Sequence, residues 1–119
     1  MATIFERYGG FATVSRIVSA FYDQVLDQPE LARYFEKIDM RRLVDHQTKF
    51  IASIMGGPAS YTNEQLERVH SGMNIREDDY LAVVDILRET LEDFELDESD
   101  IAAICSDVLD RKRFIVTSR

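Results

Sequence analysis

Residues 9–29 read GGFATVSRIVSAFYDQVLDQP, and the fold class turns on them. After the pair Gly9-Gly10, the apolar residues Val14, Ile17, Val18, Phe21 and Val25 recur at i, i+3, i+4, i+7 and i+11, the spacing of one buried helix face. Pro29 ends the run and suits the first turn of a short following helix, expected over Pro29–Phe35, because its fixed φ is already helical. Before the glycines, Ile4, Phe5 and Tyr8 form a short opening turn. Beyond the proline, Asp39 can cap a helix over Met40–Met55 whose face carries Leu43, Gln47, Phe50, Ile51 and Ile54. Gly56-Gly57-Pro58 stops that helix. Thr62 and Gln65 have capping-box spacing for another short helix with inner face Leu66, Val69, His70 and Met73. The longest stripe follows at Tyr80, Val84, Leu87, Leu91 and Phe94, and Asp97 is placed to cap a last helix turning Ile101, Cys105, Val108 and Leu109 inward. No Val/Ile/Thr-rich run alternates with period two. An all-α fold of five or six helices is expected, as a single domain over residues 1–119.

The 119 residues suffice for a core without staples, since a chain of this size buries roughly two-thirds of its unfolded surface. Fourteen basic and twenty-two acidic side chains leave a net charge of −8, a field that repels phosphate backbones and argues against nucleic acid as a partner. The lone Cys105 allows neither an internal disulfide nor a Cys₄ metal site. No apolar run reaches the about 18 residues of a membrane span, and MATIFERYGG lacks a signal-peptide core. A cytoplasmic location away from membranes is the expectation.

Function should surface where polar residues break an apolar pattern without a packing reason. Gln47 falls within the stripe of Leu43, Phe50 and Ile54, so its amide is expected to be largely buried, bonded either to a nearby backbone carbonyl or to a ligand. Tyr22 lies beside the Phe21 and Val25 face, where a buried hydroxyl needs a partner. Together the two could serve one small polar guest in an apolar cavity. His70 sits on an inner face, as core histidines and metal ligands both do. His46 lies at the border of its helix's buried arc, with Arg42 and Lys49 on the same ridge. Two histidines without an obvious carboxylate or thiolate set do not make a zinc site. No nucleophile elbow or P-loop is present. The acid pairs Glu36 with Asp39 and Asp78 with Asp79 fall at helix starts, where they read as caps and solvated surface.

In order and spacing, these residues resemble the truncated haemoglobins, most closely group I. Phe5-Glu6-Arg7-Tyr8-Gly9-Gly10 is similar to that family's first glycine pair after a shortened first helix. Phe21-Tyr22 resembles its distal tyrosine region, and Tyr34-Phe35 its haem-packing phenylalanine. His46 to Phe50, ending in Gly56-Gly57, resembles the distal helix and second glycine pair, and Val69-His70 the proximal histidine. The likeness runs from about residue 4 to 110.

The resemblance implies a two-over-two helical sandwich around haem b. His70 would be the proximal iron ligand, with Phe35, Leu43, Phe50, Ile51, Leu66 and Met73 lining the cofactor and Arg42 and Lys49 reaching its propionates. Tyr22 and Gln47 would be the distal pair hydrogen-bonding the gas ligand. Leu43 stands where relatives often carry glutamine, and Ile51 where some nitric-oxide-detoxifying members carry a tunnel-gating phenylalanine. His46 falls where certain relatives supply a sixth iron ligand. The expected function is reversible binding of O₂, CO and NO, with oxidation of NO to nitrate as a candidate dioxygenase activity served by a reductase. The alternative is a gas or redox sensor, or an electron-transfer module, with bis-histidyl haem through His46. A monomer or weak dimer is expected.

Overall fold

The computed structural model describes residues 2–57 and 75–111. Among the described residues the chain forms helices and no strand. The first helix, α1 (Ile4–Arg7), is held by a capping box: the Glu6 backbone N–H donates to the Thr3 hydroxyl at 3.1 Å, and the Thr3 N–H donates to the Glu6 carboxylate at 3.4 Å. The chain then turns at Gly9 and Gly10. Gly10, at φ +73° and ψ −154°, occupies a backbone region essentially restricted to glycine and starts α2 (Phe11–Leu26). The stripe expected on α2 is all buried, joined by Tyr22.

Pro29 takes the first-turn position of α3 (Pro29–Ala32). The single helix expected over Pro29–Phe35 divides here, its second half tightening into a 3₁₀ turn over Arg33–Phe35. The tightened end uses up helix-terminal carbonyls, and Arg33 Nε donates to the Glu30 carbonyl at 2.9 Å. Asp39 caps α4 (Met40–Ile54) by accepting from the backbone N–H groups of Arg41 and Arg42 at 3.1 and 3.4 Å. The helix ends at Ile54, one residue short of the expected Met55, and the chain turns away at Gly56, which sits at φ +90°.

Three acids, Glu77, Asp78 and Asp79, fill the first turn of α5 (Glu77–Asp93), where the exposed N–H dipoles favour negative charge. Its stripe buries Tyr80, Val84, Leu87 and Leu91, while Phe94 falls just past the helix end. The last described helix, α6 (Glu98–Asp110), buries Asp100, Ile101, Ile104 and Cys105. Two expectations here are corrected. The Asp97 side chain makes no cap bond; its backbone N–H instead donates to the Tyr8 hydroxyl at 2.9 Å. Leu109 is 40% exposed rather than inward, because Ile104 and Val108 already supply the apolar side of the final turns. The short helix expected around Thr62 and Gln65 lies outside the described residues.

α2 packs against both α4 and α5, and α5 against α6. Buried polar groups pin these layers. Thr90 is fully buried, accepting from Gln24 Nε2 at 3.0 Å and donating to the Ile86 carbonyl at 2.8 Å. Asp100 accepts from both Arg7 terminal nitrogens at 2.9 and 2.7 Å and from the Tyr8 hydroxyl at 2.7 Å. The Phe5 backbone N–H donates to the Met55 carbonyl at 2.9 Å, tying α1 to the end of α4. No helix among the described residues is long and apolar enough to cross a membrane.

Candidate functional site

Helices α2, α4 and α5 do not close completely on one another. Between them and the 33–35 turn lies a cavity of about 530 Å³, a size typical of cofactor and small-molecule sites. Most of its wall is apolar: Val18, Phe21 and Val25 from α2, Phe50 and Ile51 from α4, and Val84 from α5. An amphipathic face that meets a cavity instead of a neighbouring helix leaves its polar members addressable, and two neutral ones stand there.

Tyr22 is one, with 8% of its surface exposed. Its ring is wedged between the edges of Phe21 and Phe35, at centroid distances of 4.8 and 5.7 Å. Among the described residues its hydroxyl has no hydrogen-bond partner, and burial pushes its ionisation well above the ordinary tyrosine value. Gln47 is the other. It lines the same cavity and is half-buried, not largely buried as expected, because the α4 stripe faces open space at this level. Its amide also lacks a partner among the described residues. Both groups open onto the cavity, where a guest could take their hydrogen bonds.

The structure brings most of the other candidates to the same wall. Phe35 and Leu43 are half-buried in the lining, Phe50 and Ile51 buried. Arg42 and His46 are exposed side chains that still border the cavity. Lys49 is not brought there: it points along the outer face of α4, its ammonium 3.4 Å from the Asp45 carboxylate one turn back. His70, Leu66 and Met73 lie outside the described residues. Among the described residues no cluster of three or more His, Cys, Asp or Glu side chains could hold a metal ion. Burial raises the Cys105 thiol pKa and leaves it an inert core group.

Asp79 and Tyr80 are polar lining groups that the sequence reading did not assign to a cavity. Asp79, expected on the solvated surface beside Asp78, lines the cavity and accepts a 2.6 Å hydrogen bond from the Tyr34 hydroxyl, another lining group. The only hint in the sequence was position, since Asp79 directly precedes the stripe residue Tyr80. Tyr80 itself lines the cavity and donates to the Val108 carbonyl, joining the start of α5 to the end of α6.

An all-helical frame of this kind is also found in solved structures of truncated hemoglobins. The truncated hemoglobin of Tetrahymena pyriformis in its Fe(III) form superposes with a TM-score of 0.83 at 26% identity, over 99% of this chain and 100% of that one. The 2/2 hemoglobin of Synechococcus sp. PCC 7002 shares the fold with a TM-score of 0.89 at 22% identity, over 97% of this chain and 98% of that one. The family model described as bacterial-like globin matches residues 3–117, and the chain belongs to that family. Among curated relatives, it is similar to the group 1 truncated hemoglobin of Tetrahymena thermophila, 33% identical over 98 residues that cover 82% of this chain and 79% of the relative. The group I resemblance of the sequence is thereby borne out.

Membership implies a haem cofactor and haem-based binding of gas ligands such as O₂. The described residues fit such a group. A planar, largely apolar macrocycle suits the cavity's size and wall. The idle Tyr22 hydroxyl and Gln47 amide suit a small polar ligand held inside it.

Proposed function

We propose that this protein binds haem b through His70 and reversibly holds O₂, CO or NO beside Tyr22 and Gln47. The single observation that carries this reading is the hydroxyl of the buried Tyr22, unpartnered among the described residues and open to an apolar cavity. When bound, the haem supplies the iron position for the gas and the electron with which O₂ and NO combine to nitrate, an electron that a reductase returns.

The protein's own part is donation and exclusion. The Tyr22 O–H and the Gln47 Nε2–H would donate to the bound gas, and such bonds strengthen where the acceptor carries negative charge. Phe35, Leu43, Phe50 and Ile51 keep bulk water from that ligand. Arg42, at the cavity border, is placed to meet carboxylates on the cofactor's edge. Lys49, paired with Asp45, contributes less to that task than the sequence suggests. A monomer or weak dimer is the expected state, which the net charge of −8 neither requires nor forbids.

Absorption spectra of the haem-loaded protein, followed by O₂ dissociation in wild type, Tyr22→Phe and Gln47→Leu, test the proposal. Faster dissociation in both variants supports it; unchanged rates in both refute the distal assignment. Stopped-flow mixing of the oxygenated protein with NO decides the dioxygenase activity, which a slow reaction rules out.

A second reading has a specific observation behind it: His46 borders the cavity one position before Gln47. Binding of iron by His46 in the absence of gas would give a bis-histidyl state suited to sensing or electron transfer. A ferric spectrum identical in wild type and His46→Ala overturns it.

A further inference from the structure

Arg33, Tyr34 and Asp79 form a closed polar triangle where the cavity meets solvent. The Tyr34 hydroxyl donates to Asp79 Oδ2 at 2.6 Å. Arg33 Nη2 donates to that same oxygen at 3.0 Å and to the Tyr34 hydroxyl at 2.9 Å, and its guanidinium lies 4.4 Å from the centre of the Tyr34 ring. The backbone N–H of Arg76 adds a bond to the same hydroxyl at 3.3 Å. Tyr34 and Asp79 line the cavity, while the Arg33 and Arg76 side chains are 51% and 62% exposed. The triangle therefore spans the boundary, joining the 33–35 turn to the first turn of α5 across 45 residues of chain.

The parts contribute unequally. An ion pair as exposed as Arg33 with Asp79 adds little by itself. The tyrosine bond is different: a half-buried hydroxyl gives its proton to a carboxylate and takes two N–H groups in return, a charge-assisted arrangement. Phe35, the next residue, is the one that presses edge-on against Tyr22. Anything that frees Tyr34 from Asp79 therefore loosens the turn carrying Phe35 and lets the cavity wall part from α5.

We propose that Tyr34 is a positioning residue of the cofactor cavity, its bond to Asp79 acting as a clasp that sets how fast haem leaves. The proposal rests on the haem-binding reading above. Release of a large planar group requires the wall to open, and the clasp ties together two lining elements distant in sequence. The buried core of α2, α4, α5 and α6 does not depend on it, so the haem-free fold should be nearly indifferent to its loss.

The test follows transfer of haem from the ferric protein to excess haem-free myoglobin, for wild type, Tyr34→Phe, Asp79→Asn and the double variant. Tyr34→Phe keeps the ring under Arg33 and should speed haem loss on the order of tenfold, the scale of a lost hydrogen bond to a charged group. Asp79→Asn keeps an acceptor for the tyrosine and should fall between. The double variant should be no faster than Tyr34→Phe, because both act on one bond. The thermal midpoint of the haem-free protein should stay put in Tyr34→Phe. Wild-type loss rates in Tyr34→Phe, rates that multiply in the double variant, or an equal fall in haem-free stability would each overturn the clasp. A chain that develops no Soret band when given haem overturns the haem-binding reading and the clasp with it. A normal Soret band with unchanged loss rates overturns the clasp alone.

Discussion

The rings of Tyr22 and Phe35 meet edge to face, centroids 5.7 Å apart and planes at 76°. The contact fixes the direction of a phenol whose hydroxyl bonds to no other described residue. Removing that hydroxyl should cost the haem-free protein little, because it breaks no bond to a described residue and the group opens onto the cavity. With haem and O₂ present, Tyr22→Phe should raise the O₂ dissociation rate about 10- to 100-fold, the equivalent of one charge-assisted bond. Urea melts of the haem-free protein and stopped-flow O₂ release measure the two sides of this prediction.

Burial also keeps that phenol protonated, since it disfavours the phenolate and raises the pKa above the ordinary value of about 10. The donor should then be intact across neutral and mildly alkaline solution. O₂ dissociation measured from about pH 6 to about pH 9 should show no inflection from Tyr22. A step within that range would mean that the hydroxyl is more solvated than the structure has it.

Asp100 predicts an acid-sensitive contribution to stability. Hydrogen bonds from Arg7 first, then from Tyr8, hold its carboxyl pKa below the usual range. A depressed carboxylate stabilises the fold fully above the unfolded pKa of about 3.9, and that share is lost as pH falls through the folded value. Asp100→Asn should therefore melt a few degrees below wild type near neutral pH. The two should converge in strongly acidic solution, as thermal melts across the acid range would show.

The interior bond from Gln24 to Thr90 is a cleaner probe of packing. Thr90→Val keeps the volume but strands the Gln24 amide and should cost about 1–3 kcal/mol in urea unfolding. Gly57 tests a different term. A methyl there would sit 2.9 Å from the Ala52 carbonyl oxygen and 3.0 Å from the Phe5 ring, so Gly57→Ala should cost about 1–3 kcal/mol by overpacking.

Which features were legible beforehand follows from the range of the interaction involved. The α2 stripe could be read because burial repeats locally with the helix period, and Asp39 and Pro29 because capping and first-turn preferences act within one turn. Tyr22 and Gln47 stood out as polar residues on apolar faces, yet periodicity cannot separate a face against a neighbouring helix from one against a cavity. Gln47 is half-buried for that reason. Asp79 read as a helix-start acid, and it is one. Its partnership with Tyr34 spans 45 residues, a separation at which no spacing rule operates. Lys49 shows the converse: the i, i+4 partner Asp45 was at hand in the sequence and competes with a more distant role.

The bonds from Arg7 and Tyr8 to Asp100 close a loop of more than 90 residues, and the Phe5 N–H waits on Met55. The opening helix therefore takes its anchors from the middle of the sequence and from a helix more than 90 residues away. The capping box at Thr3 can hold its shape without fixing its place. Docking of α1 is thus a long-range step, governed by loop closure and not by local helix formation.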